Sequence, residues 1–295
     1  MPESLSSCPL CEQESSTIFD QRDFRGFKVV NVLCSNCGLI YQTPRMTGPE
    51  LEDFYQAEYR EIYQGSQGPS ERDLIVQKAR ADRLVNFLKQ IGIDKVNRFA
   101  DIGSSSGLLM EKVQKAYNCQ VVGFEPGAAY REFAQSKGFT VYDSLVQGKE
   151  AEEQRFDLVS MIHVLEHIPD PVDYLKGLRE NHLTHDAILL IEVPNLYAHD
   201  CFEVAHLTSF SRQTLIQVMN KAGFRTRIIE THGHPRSKLI PLYITLLAEP
   251  CEADLYQDNI GGERLVRLKR RAGFFHRRVI ERFLPNQGWI PEYRS

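Results

Sequence analysis

The sequence predicts an α/β protein built on a doubly wound parallel sheet, with a small β-rich unit ahead of it and a basic helix behind it. Three observations predict this. From Val96 to about Glu249, short apolar runs alternate with helix-compatible segments, the pattern of a parallel sheet covered by helices on both faces. The first strand of that series ends in a glycine-spaced turn, and an acid closes the second. Four of the seven cysteines fall in the first forty-odd residues, as two C-x-x-C pairs.

The chain has 295 residues, 42% hydrophobic and 25% charged, enough apolar material for one large domain with smaller additions. That composition excludes a mainly disordered or fibrous protein. With 35 Lys+Arg against 39 Asp+Glu the formal net charge is −4, which argues against a protein that chiefly coats nucleic acid. Met1 to Ser6 carries no basic and no apolar leader, so a cytoplasmic location is expected. The cysteines are then sought as ligands or core residues rather than disulfides.

In chain order, a β-rich run covers Phe24–Leu33, and Thr43-Pro44-Arg45 closes the first unit. Pro49 to Tyr63 reads as a short helix with Tyr55, Tyr59 and Tyr63 on one face. Ser70 is placed to cap a long helix running through Gln90. Strands follow at Arg98–Ile102, Gln120–Phe124, Thr140–Tyr142, Phe156–Ile162 and Ala187–Val193. A helix at Arg212–Ala222 precedes two further strands, Arg225–Ile229 and Leu239–Ala248, which form an antiparallel hairpin at the sheet edge. From Gly262 to Leu284, eight Arg and Lys face two Glu, a local balance of +6 that leaves −10 for the remainder. Leu265, Leu268, Ala272, Phe275, Val279 and Phe283 share one face of this helix, which Gly273 is expected to weaken. A weak contact with an anionic surface is expected of it. The division is therefore 1–45, 46–95 (a helical lid or linker), 96–250 and 251–295.

Cys8-Pro9-Leu10-Cys11 and Cys34-Ser35-Asn36-Cys37 are separated by 22 residues. Two such knuckles bring four thiolates around one zinc, and a site filled by protein atoms is structural rather than catalytic. Residues 1–45 are read as a zinc ribbon holding structural Zn2+. Cys119, Cys201 and Cys251 are isolated and read as packing.

The turn after the first strand of the series is Asp101-Ile102-Gly103-Ser104-Ser105-Ser106-Gly107. Glycines at 103 and 107 permit a tight turn and close backbone approach to a ligand at a helix N-terminus. Glu125, at the end of the second strand, is placed to accept hydrogen bonds from two ribose hydroxyls. The dinucleotide fingerprint is not met, and the acid at Asp101 suits a cationic ligand better than a pyrophosphate.

With these residues the chain resembles the class I S-adenosylmethionine-dependent methyltransferases, a Rossmann-like fold with a seven-stranded sheet. Asp101 to Gly107 matches their first motif, with Ser105 in place of the usual middle glycine. Glu125-Pro126 is similar to their ribose-binding motif. The resemblance implies that Asp101, Gly103, Ser105, Gly107, Glu125, Pro126 and His163 line the cofactor, with the turn and Asp101 near its methionyl part. It continues through Phe156–Val159, His163–Pro171 and Ile191–Asn195. The ribbon, with Cys37-Gly38-Leu39-Ile40-Tyr41, Phe54-Tyr55 and Tyr59, resembles nucleotide-sugar C-methyltransferases. The Leu-Glu-His-x-Pro-Asp-Pro run resembles ubiquinone-biosynthesis-like O-methyltransferases.

His163-Val164-Leu165-Glu166-His167 also spells an inverted zinc-peptidase signature, but Pro169-Asp170-Pro171 leaves it barely one turn. His163 stands at the rim where such sheets bind substrates, as cofactor wall or base, and His167 is expected to hold the loop. His206 lies in Phe202–Ser211, a run similar to the sugar C-methyltransferase segment in which a histidine is active-site furniture. There the preceding residue is Glu. Here it is Ala205, with Glu203 nearby. A sugar hydroxyl or a ketone α-carbon needs its proton drawn off before methylation, so His206 and then His163 are the candidate catalytic bases. The expectation is an S-adenosylmethionine-dependent enzyme acting on a small-molecule or carbohydrate acceptor, such as a nucleotide-linked sugar or glycan precursor. RNA methylation and a non-catalytic zinc-ribbon interaction module are the alternatives.

Overall fold

The computed structural model of the protein describes residues 2–57, 68–145, 155–251 and 262–293. The N-terminal strands are β1 (Ser16–Phe24), β2 (Phe27–Cys34) and β3 (Ile40–Gln42), followed by α1 (Gly48–Ala57) and α2 (Glu71–Gln90). The central part runs β4 (Arg98–Ile102), α3 (Leu108–Tyr117), β5 (Gln120–Phe124), α4 (Ala128–Ser136), β6 (Val141–Tyr142) and β7 (Phe156–Ile162). A 3-10 turn (Leu165–His167), α5 (Pro171–His182), β8 (Leu183–Pro194), β9 (Thr208–Ser209) and α6 (Arg212–Lys221) follow. The chain closes with β10 (Phe224–His232), β11 (Tyr243–Pro250), α7 (Val266–Phe283) and the short α8 (Pro285–Gly288). Tyr59 and Tyr63 lie outside the described residues, as does the side chain of Tyr55.

The large sheet has seven strands in the order β10-β11-β8-β7-β4-β5-β6. β4 through β8 pair in parallel, whereas β11 pairs antiparallel with both β8 and β10. The order reverses at β4, whose neighbours are β5 and β7. In such sheets the crevice beyond the strand carboxyl ends at the reversal is where ligands bind. Alternating residues feed two cores. Phe99, Leu158, Leu190 and Leu247 pack under α2 and α3, while Ala100, Val159, Leu189 and Leu246 pack under α5 and α6. The helix expected after Ser70 begins there with a capping box: Ser70 Oγ accepts from Asp73 N, and Asp73 accepts from Ser70 N at 3.2 Å.

The N-terminal sheet has the order β1-β2-β3-β9. Its fourth strand is thus supplied by residues 208–209, and Cys8, Leu10, Cys34 and Cys37 join the same hydrophobic cluster as Val218 and Met219 of α6. The run Phe24–Leu33 is divided by the Arg25-Gly26 hairpin turn, both residues at positive φ.

Two expectations change. The last strand starts at Tyr243 rather than Leu239, because Ser237 Oγ accepts from the backbone N–H of Leu239 and Ile240 and bends that segment. Gly273 does not weaken α7, which runs unbroken; a Cβ there would collide with the carbonyl of Tyr197, so the glycine allows the helix to seat closely. The apolar face that the periodicity picks out points away from the fold, and the helix packs instead through Val266, Gly273 and Ile280.

Candidate functional site at the strand carboxyl ends

The turn after β4 is held by the carboxyl end of β5. Gly103 N and Ser104 N both donate to Phe124 O, at 2.7 and 3.1 Å. Gly103 and Gly107 have φ of +74° and +76°, which glycine adopts without penalty. A Cβ on Gly103 would also strike Val164 Cγ2, the residue after His163. Ser105, where the family motif has glycine, is itself at φ +48°. Its N–H donates to Glu125 Oε2 at 2.9 Å, and Gly127 N donates to Glu125 Oε1 at 2.9 Å. The buried Glu125 carboxylate therefore ties the two loops together. Pro126 presents its carbonyl to Arg131.

Asp101 is buried at the end of β4, beside its register partner Ser160 on β7, whose Oγ donates to Oδ1 at 2.6 Å. Burial pushes the Asp101 carboxyl up to about 7; the Ser160 bond opposes this and the nearby Glu125 charge adds to it. Ser104 Oγ is buried with no hydrogen-bond partner among the described residues. A carboxyl primed to lose its proton, an unpartnered hydroxyl and a glycine turn together fit a ligand that carries both hydroxyls and a positive charge.

The second half of the site is a histidine–carboxylate cluster on the same rim. His163 follows β7 directly, at φ +57°. Its Nδ1 is 3.3 Å from Glu166 Oε1 and its Nε2 is 3.5 Å from Glu192 Oε1, so one imidazole stands between two buried carboxylates. The H-x-x-E-H run forms only a 3-10 turn, which removes the helical basis of the peptidase signature. His167 Nδ1 donates to Ala205 O at 2.8 Å, joining the β7 loop to the loop before β9 as expected. Burial lowers His167 to about 4, against the pull of Glu166. Burial alone would raise Glu166, yet His163 and the charge on His167 hold it down to about 2.

His206 is buried and stacks edge-on to His167, ring centroids 4.8 Å apart. Its Nδ1 donates to Cys201 O at 3.0 Å, which leaves Nε2 as the acceptor nitrogen. Nε2 faces Glu203 Oε2 at 3.9 Å. Glu203 thus reaches the histidine from three residues away, in place of the neighbouring acid that Ala205 lacks. β3 holds this loop: Gln42 N donates to Leu207 O at 2.8 Å and Gln42 Nε2 to Glu203 O at 3.3 Å. The N-terminal sheet therefore positions His206.

Several residues of this cluster carried no assigned role in the sequence. Glu192, in the otherwise apolar β8, is fully buried; it accepts from Thr245 Oγ1 at 3.0 Å and lies within ion-pair distance of Arg80 Nε (2.9 Å) and His232 Nε2 (3.4 Å). Burial opposes its ionisation, but His163, His232 and Arg80 hold its carboxyl well below the ordinary range. Tyr243 packs against the rings of His163, His199 and His232 and under the Arg80 guanidinium. A charge inside an apolar strand run was the visible signal for Glu192; nothing in the sequence marks Arg80.

Two sets of side chains among the described residues could hold a metal ion. Glu166, His167 and His206 have ligand atoms within 4.8 Å of one another. Cys8, Cys11, Cys34 and Cys37 form the other, with Sγ–Sγ separations of 3.6 Å (Cys8–Cys37) and 3.4 Å (Cys11–Cys34). A tetrahedral site with bonds of about 2.3 Å has edges of about 3.8 Å, so the thiols already sit near ligand spacing. Gly38, at φ +78°, follows the second knuckle where a Cβ would meet Glu263 O at 2.5 Å.

A family model described as a methyltransferase domain matches residues 72–227, more than half of the chain. The chain belongs to this methyltransferase family. No curated protein matches it by sequence. Among solved structures, a SAM-dependent methyltransferase from Leishmania major is 15% identical with a TM-score of 0.51, covering 68% of this chain and 82% of that one. A SAM-dependent methyltransferase from Archaeoglobus fulgidus is 17% identical with a TM-score of 0.49, covering 61% and 100%. Magnesium protoporphyrin IX methyltransferase from Synechocystis PCC 6803, solved with bound SAM, is 16% identical with a TM-score of 0.47, covering 68% and 95%. Identities this low speak to fold, and the fold is that of the SAM-dependent class I methyltransferases.

Proposed function

We propose that this methyltransferase moves the methyl group of S-adenosylmethionine to a small, carbohydrate-like acceptor, with His206 as general base. The acceptor class that the resemblance supplies is a nucleotide-linked sugar or glycan precursor, methylated at a hydroxyl or at a carbon beside a carbonyl. The observation that carries the reading is the histidine–carboxylate cluster beside the glycine turn, joined to it through the Gly103–Val164 contact.

The cofactor supplies a methyl already activated on a sulfonium. Glu125 and Pro126 would hold the ribose side, and Asp101 with Gly103, Ser105 and Gly107 the methionyl side. His163 walls the junction between this turn and the cluster. The acceptor still has to lose a proton, and His206 Nε2 is the atom presented to take it, since Nδ1–H is committed to Cys201 O. Glu203 Oε2, 3.9 Å away, offsets the imidazolium charge that results. Such a base contributes roughly 10²–10⁴ in rate. The four cysteines are assigned to one structural zinc, whose effect on the site passes through β3 and its bonds to the His206 loop.

The test is methyl transfer from labelled S-adenosylmethionine to nucleotide sugars and, separately, to RNA, using wild type and His206→Ala. Label in the sugar fraction that falls at least a hundredfold in His206→Ala supports the reading. Label in RNA alone, or sugar methylation indifferent to His206, overturns it.

A further inference from the structure

Helix α7 turns an apolar stripe to solvent. Leu265 just before it and Leu268, Phe275, Val279 and Phe283 on it are between 37% and 69% exposed. Periodicity of this kind normally marks the face that packs on the core, yet here the opposite face is fixed. Gly273 seats against Tyr197 O, Val266 and Ile280 are buried, and Arg270 and Arg277 donate to the carbonyls of Leu196 and Ala198. Rotating the stripe inward would break all of these contacts.

At 100° per residue, Arg271, Arg278 and Arg282 align along one edge of the stripe, and the exposed Arg264 lies just before the helix. None has an acidic partner among the described residues, whereas Lys269, near the other edge, pairs with Glu263. Ile18 of β1, 61% exposed, stands beside the first turns, where Arg267 donates to its carbonyl. The local charge of +6 on this segment against −10 elsewhere gives the molecule one strongly basic side.

We propose that α7 is an interfacial helix that docks the protein on an anionic lipid bilayer. It would lie in the headgroup plane, with Leu268, Phe275, Val279 and Phe283 in the acyl boundary and Arg271, Arg278 and Arg282 at lipid phosphates. A bilayer answers both halves of the pattern at once. Nucleic acid would engage the arginines but leave the apolar stripe against phosphates. A second copy laid stripe to stripe would bring two rows of like charge together. No described helix is long and apolar enough to cross a membrane, so docking is peripheral. The packed face rests on residues 196–198, at the start of the loop that leads to His206, which places the bilayer on the side of the molecule that carries the cluster. The proposal concerns where the protein sits and stands whatever its acceptor is.

The experiment is co-sedimentation of the full-length protein with vesicles of phosphatidylcholine, with and without phosphatidylglycerol. Wild type is compared with Arg271→Gln/Arg278→Gln and with Phe275→Ser/Phe283→Ser. All four positions are exposed, and thermal denaturation checks that the variants fold. The protein is expected to sediment with the anionic vesicles only and to be released by salt. At about fivefold per arginine, the arginine pair lowers partitioning roughly 25-fold, and the phenylalanine pair lowers it at least tenfold. Absence of binding to anionic vesicles, or equal binding by wild type and both variants, overturns the proposal. So does a dimer in sedimentation equilibrium that the phenylalanine pair dissociates, which assigns the stripe to a second copy. RNA retention lost in the arginine pair, without vesicle binding, assigns the face to nucleic acid.

Discussion

Asp101 should make cofactor binding steeply dependent on pH in a range where most carboxylates are silent. In the free protein its burial against β7 lifts the carboxyl from an ordinary 3.8 to about 7. The folded state then keeps a proton that the unfolded chain gives up, so this group's contribution to stability is complete below about pH 4 and is lost as pH rises through about 7. Above that the cost is about 4 kcal/mol, at 1.36 kcal/mol per pH unit of displacement. A ligand whose ammonium group meets the carboxylate needs it ionised. Affinity for S-adenosylhomocysteine should therefore be flat above about pH 8 and fall roughly tenfold per pH unit below about 7, with one proton released on binding. Calorimetry between pH 5.5 and 8.5, in buffers of different ionisation enthalpy, reads both quantities. Asp101→Asn should bind weakly at every pH and without proton release. It should also be more stable than wild type at pH 8, because the desolvated charge is gone while Ser160 keeps an acceptor. An affinity that does not change across this range, or a pH dependence that survives in Asp101→Asn, would refute the assignment.

Gly103→Ala adds a positive-φ penalty and a clash with Val164; a loss of about 2 kcal/mol in denaturant unfolding and of S-adenosylhomocysteine binding is expected. Ser70→Ala removes the capping box of α2 and should cost about 1 kcal/mol, with cofactor affinity little changed. The purified protein should release one zinc per chain when its thiols are blocked. Zinc removal should lower the melting temperature and disturb the His206 loop through β3; an absent or substoichiometric metal would remove the ribbon assignment.

Strands were legible where an apolar run ends in chemistry that stops it. Arg98–Ile102, Gln120–Phe124 and Phe156–Ile162 have the bounds read from the sequence, each followed by a glycine, an acid or a histidine on the rim. The Ser70 cap was legible because a capping box is local. What escaped is non-local. Thr208–Ser209 completes the N-terminal sheet through pairing with Ile40–Tyr41, residues too distant in sequence for any periodicity to report. Glu192 becomes a hub because α2, β10 and β11 each bring a cation or donor to it, and no one segment reveals that. Amphipathicity grouped the apolar residues of α7 correctly, but the period of a helix does not say which face meets the fold. There, the close approach at Gly273 and the arginine bonds to carbonyls decide the orientation.

The measurement that bears most directly on the account is calorimetric titration of the zinc-loaded protein with S-adenosylhomocysteine at pH 8, beside Glu125→Ala and Glu125→Gln. In the proposed binding mode the Glu125 carboxylate meets two ribose hydroxyls, and two charge-assisted bonds are worth about 3–6 kcal/mol together. The account predicts one micromolar site per chain, weakened at least a hundredfold in both variants while the Gln variant stays folded. A folded, zinc-loaded wild type that shows no binding, or binding unchanged in Glu125→Gln, would contradict it.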